Sequence, residues 1–129
     1  MILDSTFLVD FERETARRKG GPAADFLRAR PDEVLCITFT IAGELAAGES
    51  LGADRAKWET FIRPFRFLSY SEEIGWRFGA VFRQLRRQGT PIGANDLWIA
   101  ATALVHGLPL VTRNAEEFRR VRGLEVLSY

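Results

Sequence analysis

Gly93-Ala94-Asn95-Asp96-Leu97-Trp98-Ile99-Ala100-Ala101-Thr102-Ala103 opens polar and then runs almost entirely apolar. The run is too long and too rich in alanine for a strand, so it reads as a helix buried on most sides. A carboxylate, Asp96, lies in its first turn. A buried helix that begins with an aspartate either complements its own N-terminus or presents that charge to something else. The surrounding sequence decides between the two.

Upstream, Gly89-Thr90-Pro91-Ile92-Gly93 reads as a loop. Before it, Ile74, Phe78, Val81, Phe82 and Leu85 keep helical spacing behind Ser71-Glu72-Glu73, with Arg83, Arg86 and Arg87 on the far face. Downstream, His106-Gly107 closes the buried helix. Leu110-Val111-Thr112 then reads as a strand, Ala115 to Val121 as a short helix and Leu124 to Leu127 as a last strand.

At the start, Met1-Ile2-Leu3-Asp4 is a short apolar run ending in an acid, and Ser5-Thr6 are positioned to cap a helix carrying Phe7, Leu8 and Phe11 inward. A second helix covers Ala23 to Ala29. Val34-Leu35-Cys36-Ile37 has the unbroken apolar character of a buried parallel strand. Helical pattern resumes near Ile41 and runs to about Gly48. Asp54 caps another helix, with Trp58, Phe61 and Ile62 on one face; with Phe65 these are core or an exposed apolar clamp. Arg66-Phe67-Leu68 is a short strand. Strands and helices alternate throughout 1–129, with no repeat or linker. That predicts one α/β domain with a parallel sheet flanked by helices.

Composition narrows the function. The chain has 129 residues, 47% apolar and 27% charged, with a net charge of +1, so no global basic signal marks a nucleic-acid binder. All but two of its 18 cationic residues are arginines, suited to phosphate or carboxylate. One cysteine, Cys36, excludes an internal disulfide framework and fits a reducing compartment. No apolar run approaches a membrane span and no leader peptide is evident, so a cytoplasmic location is expected. There is no Gly-x-Ser-x-Gly elbow, Walker A or Gly-x-Gly-x-x-Gly. The sole histidine, His106, lies at the far end of its helix, against a histidine-ligated zinc site.

In open parallel sheets the site lies at the carboxyl ends of the strands. Asp4 follows the first strand, Glu44 lies in the helix after the second, Asp96 opens the buried helix, and Arg113-Asn114 follow Leu110-Val111-Thr112. These positions, 40, 52 and 18 residues apart, meet only through the fold. Acids gathered at one edge either take raised pKa values or share a cation. Asp, Glu and Asn oxygens without Cys or His suit Mg²⁺ or Mn²⁺.

Those residues carry a family resemblance. Ile2-Leu3-Asp4-Ser5-Thr6, Gly43-Glu44-Leu45 with Gly48, Asn95 to Ala103, and Leu110-Val111-Thr112-Arg113-Asn114 with Phe118 look like a PIN-domain ribonuclease, specifically the VapC-type toxin of type II toxin–antitoxin pairs. The resemblance implies a PIN-like three-layer α/β/α domain with about five parallel strands. It implies an acidic pocket of Asp4, Glu44 and Asp96, with the fourth position on Asn114, as catalytic and metal-binding residues for Mg²⁺ or Mn²⁺. Thr6 or Ser5 and Thr112 match hydroxyl positions lining the pocket. It further implies cleavage of RNA phosphodiesters to 5′-phosphate and 3′-hydroxyl ends, a cognate antitoxin and a homodimer.

Two positions depart from the family pattern. Asn114 stands where Asp is frequent, and Glu117, one helical turn on, is positioned to restore that charge. Ile41 stands where Ser or Thr is frequent, with Thr40 one position earlier. Arg113, Arg83, Arg86 and Arg87 are candidate contacts to the RNA backbone, the last three otherwise forming a solvated face. The alternative function is a PIN-like RNA- or protein-binding module with weak or no nuclease activity. A receiver or phosphotransferase domain is disfavoured, because its acid pair, phosphorylatable Asp and late Lys are missing.

Overall fold

A computed structural model describes all 129 residues. Five strands, β1 (Ile2–Leu3), β2 (Cys36–Thr38), β3 (Arg66–Leu68), β4 (Leu110–Val111) and β5 (Val126–Leu127), form one sheet in the order β3-β2-β1-β4-β5, every pairing parallel. Helices cover both faces, giving the expected α/β/α layering. They are α1 (Ser5–Arg17), α2 (Pro22–Arg28), α3 (Phe39–Ala47), α4 (Arg55–Ile62), α5 (Glu72–Gln88), α6 (Ala94–His106) and α7 (Ala115–Phe118). The strand order reverses direction between β1 and β4, so a crevice opens above their carboxyl ends. Asp4 and Thr112 are the first residues past those two strands.

The core explains the order. Ile2, Leu3, Ile37, Leu110 and Val111 are fully buried, as strands covered on both faces require. Helix α6 buries Leu97, Ile99 and Ala100 through Ala103. Its small side chains let α5 pack close against it. Gly107 ends the helix at φ 61°, a left-handed conformation that glycine adopts without strain.

Several boundaries differ from the sequence reading. β2 begins at Cys36 rather than Val34, and Val34 is 59% exposed. α3 begins two residues before Ile41, because the Thr38 hydroxyl accepts from Ile41 N at 3.2 Å and caps it there. At α1 the cap is Asp4, not Ser5 or Thr6: its Oδ1 accepts from Ser5 N at 2.8 Å. Phe82 keeps the spacing of the apolar face of α5 yet is exposed, because α6 covers only the strip through Ile74, Val81 and Leu85. Asp54 and Ser71 cap α4 and α5 as expected. Trp58 is not a free clamp. Its Nε1 donates to Ala42 O at 3.0 Å, and its ring packs with Phe61, Ile62 and Phe65 against the core.

Candidate active site

Asp4 is 3% exposed and held from three sides. Beyond the cap bond, its Oδ2 accepts from Thr112 Oγ1 at 2.7 Å and from Thr6 Oγ1 at 3.1 Å. The two hydroxyls also fix the loop after β4: Thr112 Oγ1 accepts from Asn114 N at 3.0 Å, and Thr6 Oγ1 from Arg113 N at 3.2 Å. Both threonines therefore bond the first acid and the loop after β4 at once. They orient the first acid and tie the β1 and β4 ends together.

Glu44 comes from the second turn of α3. Its carboxyl is pushed up from 4.5 to about 7, first by burial, then by the charges of Asp4 and Asp96. The Ser5 hydroxyl opposes that shift. At 3.5 Å from Asp4 Oδ1, Ser5 makes no strong bond there, so its effect falls on Glu44. Glu44 Oε1 is shielded from solvent and has no hydrogen-bond partner. An ionised oxygen in that position costs free energy unless a cation or proton meets it.

Asp96 occupies the third position of α6. The helix starts at Gly93 with no side-chain cap, so Asn95 is exposed in the first turn and does not cap it. Asp96 is pushed up from 3.8 to about 6 by burial, then by Asp4, then by Glu117. Asp4, Glu44, Asp96 and Glu117 therefore share one electrostatic neighbourhood. They do not gather as three side chains already placed to hold a metal ion, and of the four only Glu44 lines the cavity beside them. Asn114 is exposed, and its side chain makes no capping bond to α7. It is Glu117 whose charge reaches Asp96.

A cavity of about 660 Å³ runs from Ser5, Thr6, Glu44 and Arg113 along the α1–α3 groove to Glu49 and Ser50. Arg113 is on its rim. Arg86 shares a small cavity with Ile92 and Leu97 at the α5–α6 turn, while Arg83 and Arg87 line another with Arg122. None of these three borders the acidic cavity. His106 is exposed at the end of α6 remote from Asp96, as expected.

The sequence reading missed two residues. Asp10 binds Arg113 Nη1 with both oxygens, at 3.0 and 3.2 Å, and accepts from the Tyr129 hydroxyl at 2.7 Å. Burial and the neighbouring Asp10 carboxylate push the Tyr129 phenol well up, so it stays a donor. No motif links positions 10, 113 and 129.

Comparison with known proteins identifies the family. A ribonuclease VapC1 from Rickettsia felis is 39% identical over 64 residues, about half the length of each chain (50% and 48%). A protein named tRNA(fMet)-specific endonuclease VapC from Salmonella typhimurium is 35% identical over 96 residues, 71% of this chain and 73% of the relative. The DNA-bound VapBC crystal structure from Salmonella typhimurium superposes with a TM-score of 0.80 at 26% identity, covering 98% of this chain and 96% of that one. The PIN domain profile matches residues 1–124, and this chain belongs to the PIN domain family.

Proposed function

We propose that this chain, residues 1–129 acting as one domain, is a metal-dependent endoribonuclease of the VapC type, a toxin held in check by a cognate antitoxin. The observation that carries the reading is the acidic pocket at the switch point, where Glu44 is raised to about 7 and keeps an orphaned, shielded oxygen. Three carboxylates and an unpartnered oxygen fit a hard divalent ion, Mg²⁺ or Mn²⁺. Asp4, Glu44 and Asp96 would hold it, with Asn114 or Glu117 on the fourth side.

Such an ion supplies a lowered pKa for water and neutralises charge developing on the phosphate. The protein supplies the rest. Thr6 and Thr112 keep the Asp4 Oδ2 lone pairs oriented and leave Asp4 immobile. Glu44, raised toward 7 by burial and by Asp4 and Asp96, is the acid whose ionised form a bound cation would favour most. Asp96 rides on a buried helix, so its carboxylate keeps its place when charge enters the pocket. Attack by water in line with the leaving oxygen needs no 2′-hydroxyl, which accords with 5′-phosphate and 3′-hydroxyl ends.

The antitoxin partner is supported by the relatives solved as VapBC complexes, and a homodimer and a cytoplasmic site of action go with the same reading. No helix is long and apolar enough to cross a membrane. Purified protein should cut structured RNA with Mg²⁺ or Mn²⁺ and stop in chelator. If Asp96→Asn cuts as well as the wild type, the enzyme reading fails and a binding module takes its place.

A further inference from the structure

Arg113 lines the same cavity as Glu44, but its guanidinium is not free to wander. Its backbone N–H is fixed by Thr6, which also holds Asp4. Its side chain is tethered through one nitrogen, Nη1, to both oxygens of Asp10. Asp10 is itself clamped from the other side by the Tyr129 hydroxyl. The Tyr129 ring stands edge-on to the buried Phe7 at 4.7 Å between centroids, so that clamp is anchored in the core. The Asp10 side chain is 21% exposed and that of Arg113 60%. The anchor is thus sheltered and the guanidinium open.

A guanidinium has five N–H donors in a planar fork. Asp10 takes those of Nη1. Nε and Nη2 make no hydrogen bond within the chain, which leaves the edge whose spacing matches two phosphate oxygens. An arginine simply neutralised by a surface acid needs no third residue. Here a phenol reaches across 119 sequence positions to orient the acid.

We propose that Asp10 and Tyr129 are positioning residues that present the Nε–Nη2 edge of Arg113 to a backbone phosphate of RNA lying across the acidic pocket. The inference deepens the ribonuclease reading and rests on it for the identity of the ligand. Tyr129 keeps Asp10 in one rotamer, Asp10 keeps Arg113 at the rim, and Arg113 sets where the strand crosses. None of the three moves a proton in the reaction.

The test uses the full chain and a labelled structured RNA. Affinity is read by fluorescence anisotropy in chelator, and cleavage is read separately with Mg²⁺. Arg113→Ala should weaken binding about tenfold and lower the salt slope by about one, as loss of one phosphate contact requires. Tyr129→Phe keeps the ring on Phe7 and removes only the hydroxyl. It should weaken binding about threefold and raise KM with kcat within about twofold, as a positioning contact does. The double variant should bind no worse than Arg113→Ala alone, since both act through one group. Arg113→Lys should fail to restore affinity, because an ammonium lacks the fork. Unchanged affinity in Tyr129→Phe, or effects that multiply in the double variant, would overturn the positioning role. Normal binding changes without any cleavage by the wild type would sink the ribonuclease reading and leave this one standing. Wild-type protein that binds no RNA would overturn both.

Discussion

Replacing Asp96 with Asn should stabilise the metal-free protein at alkaline pH. Burial, Asp4 and Glu117 raise this carboxyl from 3.8 to about 6. A carboxyl whose folded pKa exceeds its unfolded value binds protons more tightly when folded. The folded state is therefore most favoured below about pH 4, and it loses that advantage as pH rises to about 6. Taken whole, the gap corresponds to about 3 kcal/mol. Asp96 is partly exposed, and solvent screening reduces the figure to about 1 kcal/mol. Asparagine keeps the shape and removes the charge. Urea denaturation in chelator should show Asp96→Asn more stable than wild type by about 1 kcal/mol at pH 8, a rise in Tm of about 3–5 °C for a domain of this size. The difference should fade toward zero at pH 4. Added Mg²⁺ should reverse the order, because the wild type gains from binding and the variant gains less. A variant no more stable than wild type at pH 8 would refute the idea that Asp96 is held ionised at a cost.

Thr112→Val removes a buried hydroxyl that serves both Asp4 and Asn114 N. It should cost about 1–3 kcal/mol in denaturation experiments and lower metal affinity as well. Glu44 and Asp96 carry protons below about pH 7 and pH 6 respectively. Metal binding should then release protons at pH 6 and almost none at pH 8, as calorimetry in buffers of different ionisation enthalpy reports. Glu117→Gln removes one cause of the Asp96 shift, so the Asp96 carboxyl should titrate at lower pH by NMR; an unchanged midpoint would place Glu117 outside the site. Ile99→Ala, at a fully buried position of α6, should destabilise by about 2–5 kcal/mol without changing the Asp96 titration.

The three acids were legible in the sequence because each sits at a punctuation mark: a strand end, an early helical turn, a helix start. Topology does the rest, since parallel strands put those marks on one edge. The hidden features are those with no local signature. The caps at Asp4 and Gly93 depend on where the backbone turns helical, and Ser5, Thr6 and Asn95 are equally good capping residues on paper. Strands of two or three residues such as β1, β4 and β5 are too short for periodicity to set their ends. The contact of Asp10 with Arg113 and Tyr129 spans more than a hundred positions and follows no motif. The arginines of α5 were grouped by face, but only the packing of α5 on α6 separates Arg86 from Arg83 and Arg87.

The hold of Thr112 on Asp4 also sets a schedule. β1 lies at the centre of the sheet, and its neighbour on one side, β4, is translated more than a hundred residues later. Until then a growing chain has no partner for that edge, and the first acid has only its local bonds from Ser5 N and Thr6. Contacts of such long sequence separation form late, because loop closure must precede them. On the ribonuclease reading proposed above, this order of assembly would be protective. A chain that stops short of residue 112 lacks the hydroxyl that joins the β1 and β4 ends at Asp4.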